Sequence, residues 1–211
     1  MTRPLDGTAL RTLMTGVCRH IIANADVLSE ADRAIGDGDH GVGMRRGFEA
    51  ALEALDTQNP QTPEQVMKVV GTAIMAKTGG AAGAVFGTLF RSGAKALEGK
   101  EQLDAAGFAA FLEAALDAVV KRGGVVQGQK TMVDALAPAA VAARSTAGGS
   151  LSEGFQAAAT AAQHGVEATK DMVATTGKAR SLGERSLGFV DPGAVSISLI
   201  FNAMRDGASG N

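Results

Sequence analysis

Residues 7–28, GTALRTLMTGVCRHIIANADVL, set Leu10, Leu13, Met14, Val17, Ile21 and Leu28 at helical spacing, so that one apolar stripe runs along one face. Working outward, the same periodicity returns about seven more times. A second helix is expected from near Gly43 to Leu55. A third follows Thr62-Pro63-Glu64-Gln65, where Thr62 can cap and Pro63 takes the first helical position, and it runs to Gly79-Gly80. A fourth covers Ala82 to Leu97, and a fifth runs from Asp104 to Arg122, stopping at Gly123-Gly124. The sixth, Lys130 to Arg144, is expected to kink near Pro138. Ser150 and Glu153 are spaced as a capping box at the head of the seventh, which extends to about Ala174, and the last follows Pro192-Gly193 and ends near Arg205. No segment reads as a strand and no repeat of fixed period is present.

Composition agrees with an all-α chain. Neither Trp nor Tyr occurs and aromatics are 4%, whereas strands favour aromatic and β-branched residues. With 211 residues, 45% hydrophobic and 20% charged, the chain has enough apolar surface for one well-buried domain spanning 1–211, and disorder is excluded as its main character. Twenty Lys+Arg against 22 Asp+Glu leave a formal charge of −2, which offers no cationic surplus to a nucleic acid. Thr78 to Phe90, uncharged, is too short and glycine-rich to span a bilayer, and the N-terminus carries Arg3, Asp6 and Arg11 with no secretory apolar core. The single Cys18 excludes a disulfide framework and suits a reducing compartment, so a cytoplasmic location is expected. Mid-helix and without an evident base, Cys18 is not read as a nucleophile.

The expected architecture is a single-domain, eight-helix, antiparallel up-and-down barrel or bundle. In that topology alternate loops share one end. Loops after the first, third, fifth and seventh helices are Asp32–Gly43, Lys77–Gly83, Gly123–Thr131 and Gly177–Gly193, and they hold nearly all the unusual chemistry. Gln58–Gln61 and Ala147–Gly149, at the other end, read as plain polar turns.

In Asp32-Arg-Ala-Ile-Gly-Asp37-Gly-Asp39-His40-Gly41, three carboxylates fall within eight residues, a density of hard oxygen ligands suited to Mg²⁺ or Ca²⁺. Taken alone, the plainer reading is an exposed Asp-Gly turn. An EF-hand fails, since counting from Asp37 puts Val42 at position six and Phe48 at position twelve. Gly36 to Gly41 matches a dinucleotide fingerprint only as letters, because no strand precedes it and two aspartates would repel a phosphate. Gly79-Gly-Ala-Ala-Gly83 opens the fourth helix with small residues, either to admit an anion to free N–H groups or to pack helices closely. Gly128-Gln-Lys130-Thr131 misses a P-loop by an inserted Gln129 and by the absent strand. Lys178, Arg180 and Arg185, among glycines, could hold anionic groups, and Asp191-Pro192-Gly193 leads into the last helix. His40 is the one histidine in these loops, while His20 and His164 read as packing or surface positions. Acidic metal ligands, glycine loops and scattered cations together describe a Mg²⁺–nucleotide site.

These motifs, with Arg46-Gly-Phe48, Lys130-Thr-Met-Val-Asp134, Leu182-Gly-Glu-Arg-Ser186 and Asp191-Pro-Gly-Ala194, resemble the L subunit of dihydroxyacetone kinase over essentially the whole chain. The resemblance implies an eight-helix barrel that binds ADP or ATP with Mg²⁺ at one end and phosphorylates a small ketose. The ketose is carried through a histidine on a separate K-type subunit or domain, with either free ATP or a phosphohistidine protein of the phosphoenolpyruvate-dependent phosphotransferase system as donor. Carried across position by position, Asp32, Asp37 and Asp39 would hold Mg²⁺. His40, Gly41, Val42, Gly43, Ala81, Ala82, Gly123, Met132, Lys178, Asp191, Pro192 and Gly193 would line the nucleotide, with Arg185 as a further phosphate contact. Lys130 and Asp134 are expected to order their loop. The family's usual residues are Asn at Gly43, Ser at Ala82, Arg at Lys178, Asp at Gln129, Tyr at Ser181 and His at Phe189. A donor lost at Ala82 or Lys178 is worth about 1–3 kcal/mol where charged groups are involved, which favours exchangeable ATP over retained ADP. A tetrulose acceptor, a stand-alone kinase resembling the fatty-acid kinase nucleotide domain, a regulatory module without turnover, and a homodimer all stay open.

Overall fold

The computed structural model describes residues 3–209. Its α-helices are α1 (Gly7–Ala23), α2 (Ala25–Ile35), α3 (His40–Gln58), α4 (Pro63–Lys77), α5 (Gly80–Ala94), α6 (Ala105–Gly123), α7 (Val133–Ser145), α8 (Leu151–Ala168) and α9 (Pro192–Ser209). Short 3-10 turns occupy Lys95–Leu97, Thr169–Asp171 and Lys178–Ser186. α3 through α9 each pack on the next in order, and α1 packs on both α3 and α9, which closes the ring. α1 and α2 together form one stave, giving the eight-stave barrel expected from periodicity.

The helix starts follow side-chain capping. Asp6 accepts from Ala9 N at 2.8 Å, Thr62 from Gln65 N and Asp104 from Gly107 N, while Ser150 and Glu153 form the full capping box. α3 ends on Asn59 in the left-handed region (φ 46°) and α6 on Gly124 (φ 62°). Seven of the eight phenylalanines fill the barrel interior, with Phe108 set edge-on to Phe155 at 4.8 Å and to Phe201 at 6.3 Å. Among the described residues no helix is long and apolar enough to cross a membrane.

Several expectations change. The first stave is broken at Asn24, whose carboxamide donates to the His20 carbonyl at 2.8 Å and ends α1 by local competition with the helical ladder. α2 then continues beyond Leu28 to Ile35, because Leu28, Ser29, Asp32 and Ile35 bury one face. Asp32, expected in a loop, therefore sits in the last turn of a helix. A two-residue antiparallel bridge, β1 (Leu5–Asp6) to β2 (Gln102–Leu103), occurs where no strand was expected. α7 starts at Val133, since Lys130 takes φ +60°, and α8 ends at Ala168. Pro138 lies inside α7 without interrupting it. The Asp134 carbonyl, which Pro138 cannot bond, faces Gly165 of α8, where a Cβ would lie 2.3 Å from that oxygen.

Candidate functional site

The connections following α2, α4, α6 and α8 meet around one cavity of about 400 Å³. At its rim stand Asp32, Asp37 and Asp39, each offering a carboxylate oxygen within 4.8 Å of the others. Asp32 is buried, and its Oδ2 accepts from His40 N at 3.2 Å, tying α2 to the first turn of α3. Asp37 and Asp39 are exposed, and the Lys178 ammonium, arriving from the connection after α8, donates to both. The hydrogen bond from Lys178 holds Asp37 below the usual carboxylate range, and the same pairing raises Lys178. Two of the three carboxylates thus already accommodate a cation, the behaviour required of hard-metal ligands.

His40 Nε2 lies 2.8 Å from Ser196 Oγ, and that hydroxyl donates to the Pro192 carbonyl at 3.0 Å. Burial holds the imidazole below its ordinary value, against the opposing pull of Asp32 and Asp39.

Across the cavity, Thr78, Gly79 and Gly80 form the turn into α5, with φ +80° at Gly79 and +57° at Gly80. α5 thereby presents its unbonded first-turn N–H groups, flanked by Ala81 and Ala82, to the same space. Val85 and Phe86 follow one turn below Ala82, and Val119 lies one turn before Gly123 on α6, making one wall apolar.

The floor is braced from below. Lys130 is buried, and its ammonium donates to the carbonyls of Thr169 and Phe189 (2.6 Å for the latter), while Asp134 accepts from the N–H groups of Gly128 and Thr131. Thr169 Oγ1 in turn accepts from Asp191 N at 3.0 Å, and Asp191 Oδ2 caps α9 through Ala194 N at 2.7 Å. Lys130 and Asp134 therefore order the loops, as expected. Desolvation, with a smaller contribution from the Asp134 charge, pushes the Asp191 carboxyl up to about 7. Between the ordinary value of 3.8 and about 7 only the folded form holds this proton, so the group's contribution to stability falls as pH rises through that window and is constant above it. The thermal stability of wild type relative to Asp191→Asn should decline from pH 4 to pH 7 and then level off, and a pH-independent difference would refute the assignment. Cys18 is buried, its thiol pushed up to about 12 by desolvation, in keeping with an inert core position.

Of the residues singled out from sequence, Asp32, Asp39, His40, Gly43, Ala81, Ala82, Gly123, Met132, Lys178, Asp191, Pro192 and Gly193 line this cavity. Asp37 joins them through the carboxylate triad. Three sit elsewhere: Gly41 packs on the α2 backbone, Val42 points outward at 56% exposure, and Arg185 is exposed away from the lining. Arg46, Thr78, Val85, Phe86 and Val119 line it without having been assigned to the site. Helical spacing from Ala82 to Val85 and Phe86, and from Gly123 back to Val119, was the available signal.

Residues 34–206 match the model of the DAK2 domain. The chain belongs to the DAK2 domain family. Over 86% of both chains it is 40% identical to the ADP-binding subunit DhaL of a PEP-dependent dihydroxyacetone kinase of Listeria innocua. It is also 35% identical to the D-erythrulose kinase of Mycolicibacterium smegmatis, covering 90% of this chain and 35% of that longer one. The crystal structure of the dihydroxyacetone kinase from C. freundii in complex with AMP-PNP and Mg²⁺ superposes with a TM-score of 0.75 over 98% of this chain and 35% of that one, at 23% identity. That likeness establishes the all-α DAK2 barrel. Asp32 lies two residues outside the matched DAK2 span, yet the fold brings it to the other two aspartates.

Proposed function

We propose that this DAK2 chain is the nucleotide-binding unit, across residues 1–211, of a dihydroxyacetone-type kinase, binding ADP or ATP with Mg²⁺ and passing a phosphoryl group to a small ketose held on a partner K-type subunit. One observation carries the reading: three carboxylates converge, with a lysine ammonium lodged between two of them, opposite a helix N-terminus across one cavity. Asp32, Asp37 and Asp39 would hold Mg²⁺, which would neutralise charge on the phosphoryl oxygens. The first-turn amides of α5 at Ala81 and Ala82 would receive phosphate oxygens. Val85, Phe86 and Val119 offer the apolar wall that a base requires, beside Gly123 and Met132. His40, Gly43 and Asp191 to Gly193 close the remaining side, whereas Gly41, Val42 and Arg185 lie outside the lining. Names of the relatives, an ADP-binding kinase subunit and an erythrulose kinase, support phosphoryl transfer to an alcohol group.

Ala82 brings no side-chain donor to the cavity and Lys178 brings an ammonium in place of a planar fork, so exchangeable ATP is favoured over a permanently bound ADP recharged by a phosphohistidine protein. Calorimetric titration of the purified chain with ADP and ATP, with and without Mg²⁺, follows a check for nucleotide that co-purifies. Micromolar, Mg²⁺-dependent binding is expected, with dihydroxyacetone or erythrulose phosphorylated only when a K-type subunit is added. Retained ADP would reverse the donor assignment, turnover without a partner would make the chain a stand-alone kinase, and binding without turnover in any pairing would leave a regulatory module. No binding at all would overturn the proposal.

A further inference from the structure

Two cations line the cavity among the described residues, Arg46 and Lys178. They are not in the same electrostatic state. Lys178 is engaged by Asp37 and Asp39. Arg46 lies on the third helix one turn after Gly43, and its hydrogen bond among the described residues runs from Nη2 to the Thr78 carbonyl at 3.0 Å, a neutral acceptor that leaves its positive charge uncompensated. The same Nη2 stands 3.5 Å from the place where a Cβ on Gly79 would sit, so the guanidinium borders the turn that opens α5. One hydrogen bond uses one of five donors, and the carbonyl anchor fixes the plane of the fork without spending its charge. The same cavity is lined by Asp39, which precedes Arg46's helix, by His40 at the start of that helix, and by the first turn of α5 at Gly80 to Ala82.

We infer that Arg46 is a phosphate-contacting residue that selects for the terminal phosphoryl group of the bound nucleotide, an inference that rests on the nucleotide reading above. The apolar wall of Val85, Phe86 and Val119 takes the base, and the carboxylates with their metal take phosphoryl oxygens on one side. The excess negative charge of a di- or triphosphate terminus then meets Arg46 on the other. A monophosphate, one or two groups shorter, does not reach it.

The test is binding of AMP, ADP and a non-hydrolysable ATP analogue in Mg²⁺ to the wild-type chain, Arg46→Gln and Arg46→Lys. Charge-assisted contacts of this type correspond to about tenfold or more in affinity. Arg46→Gln should therefore lose about tenfold for the ATP analogue and ADP while AMP stays within about twofold, and Arg46→Lys should recover part of the loss. Arg46 is exposed, so each variant is expected to fold, and an unchanged melting temperature checks this. Equal losses for all three nucleotides would mean that Arg46 acts only by holding the Thr78 carbonyl, and no loss would mean that it contacts nothing; either overturns the inference alone. Failure of the wild-type chain to bind any of the three would instead remove the nucleotide reading beneath it.

Discussion

Replacing Asp37 and Asp39 together by asparagine should weaken Mg²⁺-dependent nucleotide binding at least about 100-fold, roughly 2.7 kcal/mol, without unfolding the chain. Both side chains are exposed, and asparagine keeps their size, so the barrel loses no packing. What disappears is two of three hard ligands, and a single remaining carboxylate holds Mg²⁺ poorly because that ion surrenders its water shell reluctantly. The same change frees Lys178 from its two acidic partners. Binding measured without metal should consequently hold or improve, since an incoming phosphate then meets an unpaired ammonium in place of two carboxylates. This opposite movement distinguishes loss of a metal site from general damage. A double variant whose affinity still rises on adding Mg²⁺ would refute the assignment of the triad.

Gly41→Ala should lower stability by about 3 kcal/mol, or roughly 6–12 °C in Tm for a chain of this size. A Cβ at Gly41 would fall 1.9 Å from the Ala25 carbonyl oxygen and 2.7 Å from Ser29 N. Both are backbone atoms of α2, so no flexible side chain can move aside and the two helices must separate. Because Asp32 sits on α2 and accepts from His40 on α3, that separation pulls at the acidic triad, and Mg²⁺ dependence should weaken with stability. The matched control is Gly16→Ala in α1, where nothing lies within 4 Å of the added carbon. It should leave the protein unchanged or stabilise it by up to about 1 kcal/mol, since alanine is the better helix former. A Gly41→Ala protein as stable as wild type would refute the close contact.

Much of this molecule is legible from residues in order. Apolar spacing names the face each helix buries, and Thr62, Ser150 and Gly124 mark ends because a cap is a local event needing only neighbours in sequence. Alternation of short connections then sends four loops to one end, so the loops of the cavity rim could be named before any distance was known, and the family resemblance picked out residues within them. The dense aspartates at 32, 37 and 39 signal themselves by their mutual repulsion.

Tertiary structure decided the rest. α2 is strongly polar on one side and its continuation through Asp32 depends on a face buried against α3 and α9, which periodicity cannot assign a partner. Lys178 reaches Asp37 across 141 positions, and Arg46 reaches the Thr78 carbonyl across 32, separations at which no local pattern constrains geometry. Gly41 reads as a loop glycine beside a metal motif, yet its Cβ position is filled by another helix's backbone. Sequence determines which faces are apolar and where helices start and stop because those are nearest-neighbour energies. Which side chains meet in the cavity follows only once the closed ring of staves fixes every rotation and offset at once.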